Sequence, residues 1–191
     1  RIAQLRKELT QQINLLRDRP LVELDSDDIE AVAAPKVAGW QLLDELLSAQ
    51  PAMEFCVAFS SVAALLGSPG QIAYAAANGA MEAVCGQAPR PSLLRLAIQW
   101  GPWAGAGMAS GLAERFNSVG LGMLAPEEAF AALGALLERG RSGVVAVLEA
   151  DWARLAGQAS PRQAALFQDV RPEPGADARL VLEERLRSMA G

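Results

Sequence analysis

Apolar positions along this chain follow two spacings, one that suits amphipathic helices and one that suits strands buried in a parallel sheet. Residues 1–13 set Ile2, Leu5, Leu9 and Ile13 on one helical face, with Arg1, Arg6, Lys7, Gln11 and Gln12 elsewhere, which predicts a helix. Arg17-Asp18-Arg19-Pro20 reads as a charged turn. Asp25-Ser26-Asp27-Asp28 then supplies N-cap chemistry for a helix beginning near Ile29. Pro35 is expected to interrupt it, with helix resuming from Lys36 to Ala49 on the periodic residues Val37, Trp40, Leu43, Leu46 and Leu47. Phe55 to Phe59 is a short unbroken apolar run, as in a strand covered on both faces. A Ser68-Pro69-Gly70 turn, an alanine-rich helix over 71–86 and a strand from Leu93 to Trp100 follow. Gly101 to Gly111 is a glycine-rich loop, 126–139 a helix opened by Pro126, and Gly143 to Leu148 a third strand.

Helices alternating with buried strands predict an α/β fold, a Rossmann-like doubly wound parallel sheet with right-handed crossovers. After Asp151 the periodic signal fades. Residues 171–177 read as a linker, and Arg179 to Met189 as a charged amphipathic helix. No internal repeat is evident.

The 191 residues suffice for one domain with a real core. Aromatics make up only 5%, so aliphatic strands and alanine-rich helices must supply that core. A net charge of −5 without long runs of like charge argues against nucleic acid or an acidic membrane surface as partner. The chain has no histidine, which excludes Ser-His and Cys-His nucleophile pairs. Its two cysteines, Cys56 and Cys85, sit in apolar segments and suit core packing better than a disulfide framework or a zinc site. No metal is therefore expected. No apolar run reaches the ~18–20 residues of a membrane helix, and no signal-peptide pattern opens the chain, so a reducing cytoplasm is the expected location.

Candidate chemistry centres on Tyr74, the sole tyrosine, with Asn78 four residues later and Ser61 thirteen residues earlier. A hydroxyl at a strand end and a phenol on the next helix can converge on one carbonyl oxygen. Hydride arriving at a ketone carbon puts charge on that oxygen, and such donors act as the charge appears. A phenol serves as the proton donor when a cation assists it.

With these residues in place, the chain resembles the ketoreductase domain of modular type I polyketide synthases, a branch of the short-chain dehydrogenase/reductase superfamily. Leu16-Arg17-Asp18, Ala34-Pro35-Lys36-Val37, Phe59-Ser60-Ser61 and Gly67-Ser68-Pro69-Gly70-Gln71 match that family in order. Tyr74-Ala75-Ala76-Ala77-Asn78, Trp100-Gly101-Pro102-Trp103, Asp151-Trp152 and Phe167-Gln168-Asp169-Val170 continue the match. The resemblance implies the C-terminal part of the short-chain dehydrogenase/reductase fold. It implies a helix over 1–13 left from the cofactor side or serving as a linker, a catalytic region over 14–170, and a linker and helix over 171–191 leading to a following domain.

The resemblance also assigns roles. Tyr74 looks like the proton donor, Ser61 the second donor to the carbonyl oxygen, and Lys36 the cation that activates the tyrosine and contacts the nicotinamide ribose. Asn78 looks like the residue supporting that lysine through a proton relay, with lysine and asparagine exchanged relative to most short-chain dehydrogenases. Cofactor contacts fall to Lys36, Tyr74, Ser60, Pro102 and Trp103. Substrate contacts fall to Asp18, Leu66, Gln71, Gly107 and Met108. Asp18 stands at the family's diagnostic loop aspartate and Leu66 where the opposite stereochemical class carries tryptophan, which implies a D-configured hydroxyl. Arg17 departs from the family's usual Leu-Asp-Asp.

The implied reaction is NADPH-dependent reduction of a β-ketoacyl thioester, carried on the phosphopantetheine of an acyl carrier protein, to a β-hydroxyacyl thioester. The implied partners are that carrier and the other domains of the synthase. The family's cofactor half should carry a glycine-rich turn, and nothing before Tyr74 supplies one. Gly105 to Gly111 has the spacing G-x-G-x-x-x-G and reads instead as a lid over the substrate. The expectation is that these residues are selected pieces of a longer polypeptide; truncation and complementation by a second chain are the other options. A non-catalytic structural or docking half-domain is the alternative function, and a reductase of free metabolites a weaker third.

Overall fold

All three expected strands form, and they pair in parallel. A computed structural model of the chain describes residues 18–48, 50, 52–86, 93–105, 111–160, 163 and 165–167. The helix expected over 1–13, the 171–177 linker, the Arg179 to Met189 helix, and Gly107 and Met108 lie outside the described residues. Two units are present, Arg1–Trp100 with Ala129–Val147, and Gly101–Glu128 with Leu148–Gly191.

The first unit begins with a short 3-10 helix, Leu21–Glu23, and then α1, Ser26–Ser48. The Asp25 carboxylate accepts the Asp28 backbone N–H at 2.8 Å, so Asp25 caps the helix and α1 starts earlier than expected. The helix also runs through Pro35 without a break. Proline removes one backbone hydrogen bond there, yet α1 keeps a buried face on both sides of it, with Val32 and Trp40 almost fully enclosed. Packing therefore overrides the local cost. Asp25→Ala should lower stability by about 1 kcal/mol, read as an earlier urea midpoint with unchanged slope; an unmoved midpoint would remove the cap from the account.

Strand β1, Phe55–Ser61, is followed by a single turn, α2, Ala63–Leu66, and by α3, Ile72–Gly86. Next come β2, Leu94–Trp100, then α4, Ala113–Ser118, α5, Pro126–Glu138, and β3, Gly143–Val147. The sheet order is β1-β2-β3, all parallel, which requires crossover connections rather than hairpins. Register sets Phe55 opposite Leu94 and Ser61 opposite Trp100.

Pleating directs Cys56, Ala58 and Ser60 of β1 and their partners Arg95, Ala97 and Gln99 of β2 to one face. Helix α3 covers that face. Ala58, Ala97, Met81, Cys85 and Trp40 form a core cluster there, with Cys56 and Val84 packed against it. Both cysteines are free thiols in this core, and burial pushes the Cys85 thiol up to about 11. Arg95, only 2% exposed, pairs with Asp44 of α1.

The opposite face of β1 differs from expectation. Phe55 and Phe59 remain 47% and 50% exposed, so among the described residues this face of the strand is only partly covered. Among the described residues β1 also has a neighbour on one edge alone, whereas β2 has one on each edge and is buried from Arg95 to Trp100.

In the second unit, Trp103 bridges to Leu124 and Leu121 to Ala150. Helix α6, Trp152–Gln158, is capped by the Asp151 carboxylate, which accepts the Arg154 N–H at 3.0 Å. Sequence periodicity gave no sign of so short an element. Trp152 packs on Phe167 of a 3-10 turn, Ala165–Phe167, at 6.5 Å between ring centroids. Gly120 has φ +89, and a Cβ there would meet the Asp151 carbonyl oxygen and the Leu155 nitrogen at 3.0 Å, so this close approach requires glycine. No described helix is long and apolar enough to cross a membrane.

Candidate active site

Helix α3 presents Tyr74, Asn78 and Glu82 at successive i, i+4 positions, a polar stripe on an otherwise alanine-rich helix. Helix α1 packs alongside through Val32 and Ala33, which share a cluster with Ala73, Ala77 and Tyr74. This contact brings Lys36 over the phenol ring, its Nζ 5.2 Å from the ring centroid. Among the described residues the ammonium has no hydrogen-bond or carboxylate partner besides this ring contact. Burial lowers the Lys36 pKa from its ordinary value.

Asn78 is 0% exposed. Its amide nitrogen donates to the Tyr74 carbonyl oxygen at 3.0 Å, while its Oδ1 is buried with no hydrogen-bond partner among the described residues. An acceptor left this way costs about 1–3 kcal/mol, which marks it as a position where a donor is wanted.

Ser61 ends β1, the strand on which α3 packs. Its Oγ accepts the Ala63 N–H at 3.2 Å, a local turn that holds the side chain at the strand's carboxyl end. Carboxyl ends of parallel strands are where doubly wound sheets bind ligands. Ser60 points to the other face, where its hydroxyl donates to the Glu82 carboxylate in the core.

The Gln71 amide nitrogen donates to Asp18 at 2.9 Å, and the Ser68 hydroxyl donates to the Gln71 side-chain oxygen at 2.7 Å. Two of the expected substrate residues therefore meet at the entrance to α3. Leu66 is half-buried on α2. Pro102 and Trp103 belong to the second unit, where the Pro102 carbonyl oxygen accepts the Leu124 N–H at 2.8 Å. No described cluster of three or more His, Cys, Asp or Glu side chains can hold a metal ion.

Residues 7–105 match the family model for the KR domain. Erythronolide synthase EryA3 of Saccharopolyspora erythraea is 38% identical over 160 residues, 83% of this chain. The chain belongs to the polyketide-synthase ketoreductases. Among solved ketoreductases it is similar to PlmKR1, from the first module of phoslactomycin biosynthesis in Streptomyces sp. HK803, at 30% identity and a TM-score of 0.68 over 84% of this chain. The fold, a parallel sheet layered with helices, is that of the short-chain dehydrogenase/reductase superfamily. A 4-hydroxyisoleucine dehydrogenase complexed with NADH shares it at 16% identity and a TM-score of 0.62, covering 79% of this chain and 74% of that one, a likeness of fold alone. The chain spans 5% of the erythronolide synthase and 35% of PlmKR1.

Sequence inspection overlooked Glu82 and Gln99. The signal was present: Glu82 continues the Tyr74-Asn78 spacing by one more helical turn, and Gln99 interrupts an apolar strand next to Trp100.

Proposed function

We propose that this ketoreductase chain supplies the catalytic side chains for NADPH-dependent reduction of a β-ketoacyl thioester, carried on an acyl carrier protein, to the β-hydroxyacyl thioester. The ammonium of Lys36 seated over the only tyrosine carries this reading. When bound, the nicotinamide cofactor supplies the hydride. Tyr74 gives its phenolic proton to the oxygen that becomes the alcohol, and Ser61 donates a hydrogen bond to that same oxygen as its charge grows. Lys36 stabilises the phenolate that remains and offers its donors to the ribose hydroxyls. Asn78 holds the lysine through a proton relay, and its unpaired buried Oδ1 is the acceptor such a relay needs. Asp18, held by Gln71, faces the tethered substrate and favours the D-configured hydroxyl.

The residues present fit the nicotinamide-ribose end of the cofactor. No described glycine-rich turn precedes Tyr74 to hold the pyrophosphate. That observation supports a second reading, a structural half-domain. NADPH fluorescence titration separates the two: a complete ketoreductase polypeptide containing these residues should bind NADPH saturably, whereas a scaffold would show no saturation.

A further inference from the structure

We propose that Glu82 is a positioning residue that fixes Tyr74 relative to Ser61; this rests on the reductase reading of the site. Glu82 is 8% exposed, a carboxylate in the core with one oxygen on each of two strands. One oxygen accepts the Ser60 hydroxyl of β1, and the other accepts the Gln99 side-chain amide of β2 at 2.8 Å. Ser60 and Gln99 are direct partners across the two strands and are themselves only 7% exposed.

The geometry explains why a carboxylate, which costs free energy to bury, sits there. Apolar contacts let a helix slide or roll over a sheet by small amounts at little cost, whereas two hydrogen bonds from one side chain to adjacent strands allow a single position. The residue so fixed is two helical turns from Tyr74 on the same face of α3. Ser60, at the other end of the contact, is the residue immediately before Ser61. The bridge therefore sets the separation of the two hydroxyl donors through the backbone, although Glu82 faces the core.

Three variants test this. Glu82→Ala leaves Ser60 and Gln99 without acceptors. Glu82→Gln keeps both contacts, because a flip of the Gln99 amide lets its oxygen accept from the new amide while Ser60 still donates. In a complete ketoreductase polypeptide, Glu82→Ala should lower kcat by about ten- to a hundredfold while leaving KM within about threefold, the signature of misplaced donors. Glu82→Gln should restore kcat to within about threefold. Gln99→Leu breaks one of the two bonds with little change of volume, and should lower kcat less than Glu82→Ala does; it serves in place of Glu82→Ala if that variant fails to fold.

A second measurement does not depend on activity. Incorporating 3-fluorotyrosine into the 191-residue chain gives one fluorine resonance, since Tyr74 is the only tyrosine. Glu82→Ala, or Gln99→Leu in its place, should shift or split that resonance, and Glu82→Gln should leave it as in the parent. An unmoved resonance, or parental kcat in Glu82→Ala and Gln99→Leu, overturns the proposal. An inactive parent polypeptide would instead remove the reductase reading, and the fluorine spectra would still decide the role of Glu82.

Discussion

Tyr74→Phe is expected to lower kcat for ketone reduction by on the order of 10²–10⁴, measured in a complete ketoreductase polypeptide that contains these residues. The ring stays beneath Lys36, so the cation–ring contact at 5.2 Å survives and only the proton donor is lost. The phenol makes no hydrogen bond to a described residue, so folding stability should change little. NADPH affinity should stay within about twofold, because the lost interaction is one made with the reacting oxygen in the transition state. Turnover within about threefold of the parent would mean that the proton comes from elsewhere.

Lys36→Met is expected to lower kcat by about a hundredfold and weaken NADPH binding while leaving the protein as stable as the parent or more so. Methionine keeps the apolar stem that packs on Tyr74 and discards the ammonium. Two effects oppose each other at this ammonium. The ring face attracts it, whereas burial removes water from it and lowers the Lys36 pKa below its ordinary 10.5. For a lysine with a depressed pKa the unfolded chain binds the proton more tightly, so stability rises with pH through the window just below 10.5. The penalty is fully present at neutral pH and disappears at the alkaline end. Thermal melts should therefore show the Lys36→Met advantage at pH 7 and its decline as the pH approaches 10.5. A variant less stable than its parent at neutral pH would contradict this account.

The strands and the two long helices flanking β1 could be read from periodicity because their cores are aliphatic and their spacing regular. Pro35 misled for a physical reason: local propensity marks a break, but Val32 and Trp40 bury the helix on either side of it. Asp25 was visible as cap chemistry, and the registry of the cap needed coordinates, because four consecutive polar residues offer several starting points. Family order singles out Tyr74, Ser61, Lys36 and Asn78 as candidates, and the contact of Lys36 with Tyr74 follows from α1 lying on α3. What spacing alone left hidden was the Asp18–Gln71 contact, which links residues 53 apart in the sequence. The Ser60–Glu82–Gln99 bridge was equally hidden, because which polar side chains meet depends on how the helix sits over the strands.

All four candidate catalytic groups lie between positions 36 and 78, on α1, β1 and α3, within one unit of the structure. Exchange of gene segments between synthases that moved this stretch whole would carry the proposed proton-delivery groups as one inherited block. A crossover falling between Lys36 and Ser61 would split a matched set, joining an ammonium from one lineage to hydroxyls tuned in another. Viable chimeras should accordingly have their joints outside this stretch.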